Sequence, residues 1–290
     1  MLIFSYLERL SAKTPASRAS SSILTIMSAE TRGDGTTRNL AREFKRAYLS
    51  SYNLAQTGLW ATVLALTLSA LFSNVHDYGG VWAAAGPAAK LAVAGAWLEL
   101  VHVALGLAGG SVSSAFWQNF GRTFVLFAIV DSFQTPRTVA WLPALLVAWS
   151  CGELVRYPFY LMGSNAPPAL VWLRYSAFLL LYPVGMASEV ALLFLTLTEA
   201  REAVAREDKF CLRLPGKGAS WRILNFYYFL LFGLLVLYPF AIPYMYSYML
   251  RQRRKRLNVT GREDAITRMS GAAKLPAEMV SSSKKSRKAD

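Results

Sequence analysis

The sequence predicts an all-α fold, a polytopic membrane protein with six transmembrane helices in a bundle. Three observations carry that prediction. Hydrophobic residues make up 54% of the 290 and charged residues only 17%, with a mean hydropathy of +0.31. Six apolar stretches are of a length to span a bilayer, which takes about 20 residues. The basic residues behind a net charge of +14 gather mostly outside those stretches, at the two ends.

Taken in order, residues 1–44 form a basic N-terminal segment, expected to be flexible and cytosolic, with Arg9, Lys13, Arg18, Arg32, Arg38 and Arg42. Its stretch Met1–Ile26 holds one acid, Glu8, and weakly resembles a transit peptide, although a start at Met27 is the simpler expectation. Residues 45–250 are expected to be a six-helix membrane domain that carries the chemistry. Its spans fall near 50–72, 88–108, 118–134, 139–161, 169–197 and 223–249. The third is the weakest, because Gln118, Arg122 and Asp131 interrupt it. Trp60, Trp82, Trp141, Trp172 and Trp221 lie near span ends, where tryptophan anchors a helix at the headgroups. Residues 251–290 read as a basic, disordered cytosolic tail, starting with Arg251, Arg253, Arg254, Lys255 and Arg256.

Loop charge gives the orientation. Ser73–Ala85 carries no Lys or Arg, both ends are basic, and an even number of spans puts both termini in the cytosol. One loop, Glu199–Arg222, runs against this with Arg201, Arg206, Lys209, Arg213, Lys217 and Arg222. The last residues, Arg287-Lys288-Ala289-Asp290, approximate a dibasic endoplasmic-reticulum retrieval signal, and Asn258-Val259-Thr260 is a sequon that a cytosolic tail leaves unused.

Composition also excludes. The basic tail lacks the stacking aromatics and folded reader of a nucleic-acid binder, so anionic membrane lipid is its expected partner. Two histidines, His76 and His102, are too few for a membrane enzyme built on histidine clusters around iron. Two cysteines, Cys151 and Cys211, imply no disulfide framework.

Within the fifth span, Tyr182-Pro183-Val184-Gly185-Met186-Ala187-Ser188-Glu189 puts a phenol and a carboxylate in apolar surroundings. A central Asp costs roughly 2.5–3.5 kcal/mol on the insertion scale, so a carboxylate at such depth needs a partner or a purpose. Seven residues make nearly two turns, which puts Tyr182 and Glu189 on one face about 10 Å apart along the axis. That gap suits two groups flanking a substrate. Pro183 frees the carbonyl of Leu179, and Gly185 gives close backbone access. Other polar residues share faces in pairs: Glu99 with His102, Gln118 with Arg122, Glu153 with Arg156. Buried charges in a membrane face the bundle interior and pair, so these are expected to tie helix to helix, with His102 a hydrogen-bonded core residue. Arg174, near the start of the fifth span, either meets a substrate phosphate or snorkels to the headgroups, the commoner fate.

Three segments together resemble one family: Leu98-Glu99-Leu100-Val101-His102; Ala148-Trp149-Ser150-Cys151-Gly152-Glu153-Leu154-Val155-Arg156-Tyr157-Pro158-Phe159-Tyr160; and Leu173-Arg174-Tyr175 followed by Leu181 through Glu189. They are similar to the very-long-chain (3R)-3-hydroxyacyl-CoA dehydratases, also called protein-tyrosine-phosphatase-like proteins, over roughly residues 45–256. Pro158 departs from the commoner filling of its motif. The resemblance implies dehydration of a 3-hydroxyacyl-CoA to the trans-2-enoyl-CoA, the third step of microsomal chain elongation. It implies Tyr182 and Glu189 as the catalytic pair, and Glu99, Gln118, Arg122, Arg156, Arg174 and Gly185 as substrate-binding or supporting residues. It calls for no cofactor and no metal. Its setting is the endoplasmic-reticulum membrane, beside the condensing enzyme, the ketoacyl reductase and the enoyl reductase.

Loss of water across C2 and C3 needs a base for the C2 proton and an acid for the leaving hydroxyl. Either residue of the pair can take either role. Enolate charge at the thioester also needs donors, and the backbone N–H groups around Pro183–Gly185 are one candidate source. A phosphatase is excluded: Cys151 and Arg156 are one residue too close for a phosphate-cradling loop, and both lie in a membrane helix. Two rivals stay open, an inactive membrane partner of the elongation enzymes and a small transporter. No repeat symmetry relates the two halves, which counts against the transporter.

Overall fold

The computed structural model describes residues 35–73, 78–207, 211–214 and 221–272. The expectations for Met1–Ile26, His76, Lys209, Lys217 and the last four residues lie outside these. The fold is a helical bundle. Helix α1 spans Gly35–Ser73, α2 Gly79–Ala104 and α3 Val112–Thr123, with α3 running directly into a π-helical segment, Phe124–Val130. Helix α4 spans Trp141–Met162, α5 Pro168–Ser176 and α6 Phe178–Glu207. A short antiparallel hairpin follows, β1 Cys211–Leu214 with β2 Trp221–Asn225, in the loop before the last span. Helix α7, Phe226–Phe232, then passes through a second π-helical segment, Gly233–Leu237, into α8, Tyr238–Ala272.

The six expected spans are largely helical, the sixth after its first three residues in β2, and among the described residues four helices are long and apolar enough to cross a membrane: Asn39–Ser73, Gly79–Ala104, Pro168–Ala203 and Tyr227–Leu257. The third and fourth fall short for a physical reason. Their helices carry Arg122, Glu153 and Arg156, which lower the apolarity that marks a span. Several large apolar residues on the four long helices face outward, among them Phe72, Leu180, Phe194 and Phe240. Outward apolar faces of this kind suit a hydrocarbon surround.

The helix ends differ from the expected boundaries. Helix α1 begins at Gly35 and α8 continues to Ala272, so helix enters both the N-terminal segment and the basic tail. The tail through Ala272 is rich in Arg and other helix formers and meets no proline before Pro276. Trp60 is the clearest correction. It is fully buried in the core beside Val63 rather than anchored at an interface, because its face of α1 packs on α2 and α4. Trp82 is also buried, whereas Trp141 and Trp172 are exposed. The side chain of Trp221 lies outside the described residues.

The core joins Trp60 and Val63 of α1, Ala89 and Val93 of α2, and Val125, Leu126 and Ile129 of the first π segment. Leu142, Leu145 and Leu146 of α4 and Leu192 and Leu193 of α6 complete it. Small residues let α2 approach α1: a Cβ on Gly95 would lie 2.6 Å from the Gln56 amide nitrogen. At one end of the bundle Lys90 binds Asp131 at 3.0 Å, and both Lys90 and Arg137 lie over the Trp82 ring. Glu199 of α6 closes that end by accepting the backbone N–H groups of Gln134 and Thr135 at 3.0 and 2.9 Å. The interruption that Asp131 makes in the third span is thus matched by cations.

Candidate active site

Helices α5 and α6 read as one span broken at Ala177, two residues before Leu179, whose carbonyl Pro183 would clash with. Beyond the break α6 runs through Pro183 without interruption. The N–H groups around Pro183–Gly185 therefore belong to the helix rather than pointing free at a substrate, which corrects the expected source of donors. Gly185 is buried, and an added Cβ would meet only the Ala148 Cβ, at 3.9 Å.

Tyr182 and Glu189 line one cavity of about 910 Å³, enclosed by α2 through α6 and α8. They do not bond each other. The Tyr182 hydroxyl donates to the Ile242 carbonyl at 3.2 Å, and its ring stacks on Tyr246 with centroids 5.8 Å apart. Glu189 is buried, and its Oε2 accepts from the Tyr238 hydroxyl at 3.0 Å. Among the described residues Glu189 has no ion pair. Its carboxyl is held by the Tyr238 phenol and the Trp149 side chain, while Arg122 acts on it without forming an ion pair.

Tyr238 is the site residue that sequence reasoning missed. It lies 49 residues from Glu189, and no spacing rule connects them. The available signal was a phenol inside an apolar span rich in tyrosine, where a hydroxyl needs a partner. The second π segment ends immediately before it, and the Tyr238 N–H bonds back to Gly233. Such a segment shifts the facing of the residues that follow, which aims Tyr238 inward.

A second polar cluster shares the cavity wall. Arg122 meets Glu153 at 2.5 Å, Arg156 meets Glu153 at 2.6 Å, and Arg156 also meets Glu99 at 2.6 Å. Tyr157 donates to Glu99 at 2.5 Å and Tyr52 at 3.5 Å. Charge alternates along Arg122–Glu153–Arg156–Glu99, linking α3, α4 and α2. Arg122 also lies over the Trp149 ring, 5.7 Å from its centroid. His102 stands apart from the cavity, buried, with Nε2 and the Tyr48 hydroxyl 2.9 Å apart. Gln118 is exposed and lines the cavity without a contact to the pair. Arg174 also lines it, with its guanidinium 3.4 Å from the Tyr160 hydroxyl and 5.9 Å from that ring's centroid.

Among the described residues no group of His, Cys, Asp and Glu could hold a metal ion. Cys151 carries a free thiol within α4, and Arg156 is committed to two carboxylates. Neither is placed to cradle a phosphate with the other.

Comparison with known proteins follows the same residues. The family model described as Protein tyrosine phosphatase-like protein, PTPLA, matches residues 93–259. The chain is 36% identical over 217 residues to the very-long-chain (3R)-3-hydroxyacyl-CoA dehydratase PASTICCINO 2A of Oryza sativa subsp. japonica, covering 73% of this chain and 94% of that one. It is 34% identical over 225 residues to PASTICCINO 2 of Arabidopsis thaliana, covering 76% and 96%. Against very-long-chain (3R)-3-hydroxyacyl-CoA dehydratase 1 of Ovis aries it is 33% identical over 214 residues, covering 73% and 71%. No solved structure matches the chain.

Proposed function

The chain belongs to the protein tyrosine phosphatase-like family, and from that premise we propose that it dehydrates (3R)-3-hydroxyacyl-CoA to trans-2-enoyl-CoA. The observation that carries the reading is the pairing of Tyr182 and Glu189 across one cavity, each bonded to another group and neither to the other. A substrate carbon chain entering between them meets a phenol and a carboxyl on the same face. One takes the C2 proton, the other delivers a proton to the departing C3 hydroxyl, and water and the enoyl thioester leave. The two residues divide these transfers. Glu99, Gln118, Arg122 and Arg156 support the wall, Gly185 keeps it open, and Arg174 sits where the polar part of a thioester enters.

The setting follows from the same premise. All six helical stretches cross the endoplasmic-reticulum membrane, with both termini cytosolic, and residues 45–250 are the catalytic unit. The reaction is the third step of long-chain and very-long-chain fatty acid elongation. The condensing enzyme and the two reductases of that cycle supply the substrate and take the product. Apolar walls inside a bilayer are where an acyl chain of that length partitions. No cofactor takes part in either proton transfer.

The test is conversion of (3R)-3-hydroxyacyl-CoA by the purified protein in detergent, with enoyl-CoA measured by mass across several chain lengths. Enoyl-CoA formation is the expected result. Folded protein that forms none at any length would mark the chain as a non-catalytic partner of the elongation enzymes.

A further inference from the structure

Helices α6 and α8 run antiparallel along the cavity. Tyr182 meets Ile242, Glu189 meets Tyr238, and at the other end Arg253 reaches Ser176 of α5 at 3.2 Å. This register sets Arg174 opposite the stretch of α8 that contains Gln252 and Arg256, and all three line the cavity together with Tyr160, Tyr175 and Tyr248. The cavity therefore has two ends of different chemistry, one around Glu189 where charges pair with each other, and one basic and tyrosine-rich.

Arg174 precedes Glu189 by fifteen residues, which separates the two ends by roughly 22 Å at the helical rise. In an acyl-CoA the reacting carbons adjoin the thioester, and the phosphates sit at the far end of the extended pantetheine arm. A site that works on C2 and C3 at Tyr182 and Glu189 must meet those phosphates one arm's length away, near the level of Arg174. The charge is suitable. The carboxylates lining the cavity are Glu99, Glu153 and Glu189, none of them on α5 or α8, and Glu99 and Glu153 are already bound by arginine. Arginine presents a planar fork that matches phosphate oxygens, and tyrosine faces accept a stacked base.

We infer that the basic end of the cavity, built from Arg174, Gln252 and Arg256 with Tyr160 and Tyr248 beside them, holds the phosphorylated nucleotide of the substrate's coenzyme A. The inference rests on the dehydratase reading. The ligand chemistry is a phosphate ester, which a phospholipid headgroup also offers, so the test separates the two sources.

Binding of CoA and of pantetheine is measured by calorimetry on the full chain in nanodiscs, for the parent, Arg174→Gln and Arg256→Gln. Melting temperature is followed as a check on folding. The parent is expected to bind CoA more tightly than pantetheine. Each variant should weaken CoA binding about tenfold, as loss of one charged contact to phosphate would. Pantetheine binding should stay unchanged, and Arg174→Lys and Arg256→Lys should recover part of the loss. Unchanged CoA affinity in both Gln variants overturns the inference. So does an equal loss for pantetheine, and so does a loss confined to retention on anionic vesicles, which assigns the arginines to lipid. The readout needs no turnover. CoA binding lost in the variants of a chain that dehydrates nothing would overturn the dehydratase reading alone. Turnover with CoA affinity intact in the variants would overturn the subsite alone.

Discussion

Two groups of buried or half-buried carboxylates face the same cavity and are treated differently. Glu153 and Glu99 sit in an alternating chain with Arg122 and Arg156, and Tyr157 adds a further donor to Glu99. Glu189 has a phenol and no ion pair among the described residues. A charge fixed by cations on both sides is a structural tie, because moving a proton there would break two contacts at once. A carboxyl held by the Tyr238 hydroxyl and the Trp149 side chain, with Arg122 acting on it only from a distance, can gain or lose a proton at lower cost. The difference assigns cohesion to one group and proton transfer to the other, within a single wall.

Substitutions separate the two. The largest effect is expected for Glu189→Gln, which keeps shape and removes the proton-transferring group: turnover should fall about 10²–10⁴-fold, with helicity by circular dichroism unchanged. Glu153→Ala should do the reverse. It strands Arg122, leaves Arg156 with Glu99 alone, and should cost about 3–5 kcal/mol of stability, read as a lowered unfolding midpoint in detergent. Removing Arg122 as well should return part of that loss. Tyr238→Phe is smaller again. It deletes one hydrogen bond to a carboxyl, worth about 1.5–3 kcal/mol, and should lower kcat by roughly tenfold or more while KM changes little. If Tyr238 only packed, kcat would hold and the melting temperature alone would move. The smallest effect is Gly185→Ala, whose Cβ meets Ala148 at an ordinary contact distance. Thermal melting should show no loss and a gain of at most about 1 kcal/mol.

What could be read from sequence was what lies close along the chain. Tyr182 and Glu189 stand on one face of one helix, and their spacing alone brings them to one cavity. Glu153 and Arg156 are three residues apart and do pair. Glu99 shares its face with His102, yet the two take different partners, Arg156 and Tyr48, on other helices. Helix rotation in the bundle decides such pairings, and the apolar pattern of a membrane helix, hydrophobic nearly all round, does not encode it. Trp60 was misread for the same reason: position near a span end does not say which way a side chain points. Tyr238 was out of reach because a π segment sets its facing, and no residue type announces that segment.

The most direct test takes parent, Tyr182→Phe and Glu189→Gln, and measures turnover of a long-chain (3R)-3-hydroxyacyl-CoA and melting temperature on the same samples. The account predicts both variants at least about 100-fold slower and melting within a few degrees of the parent. Turnover equal in all three would contradict it and move the chemistry to other residues.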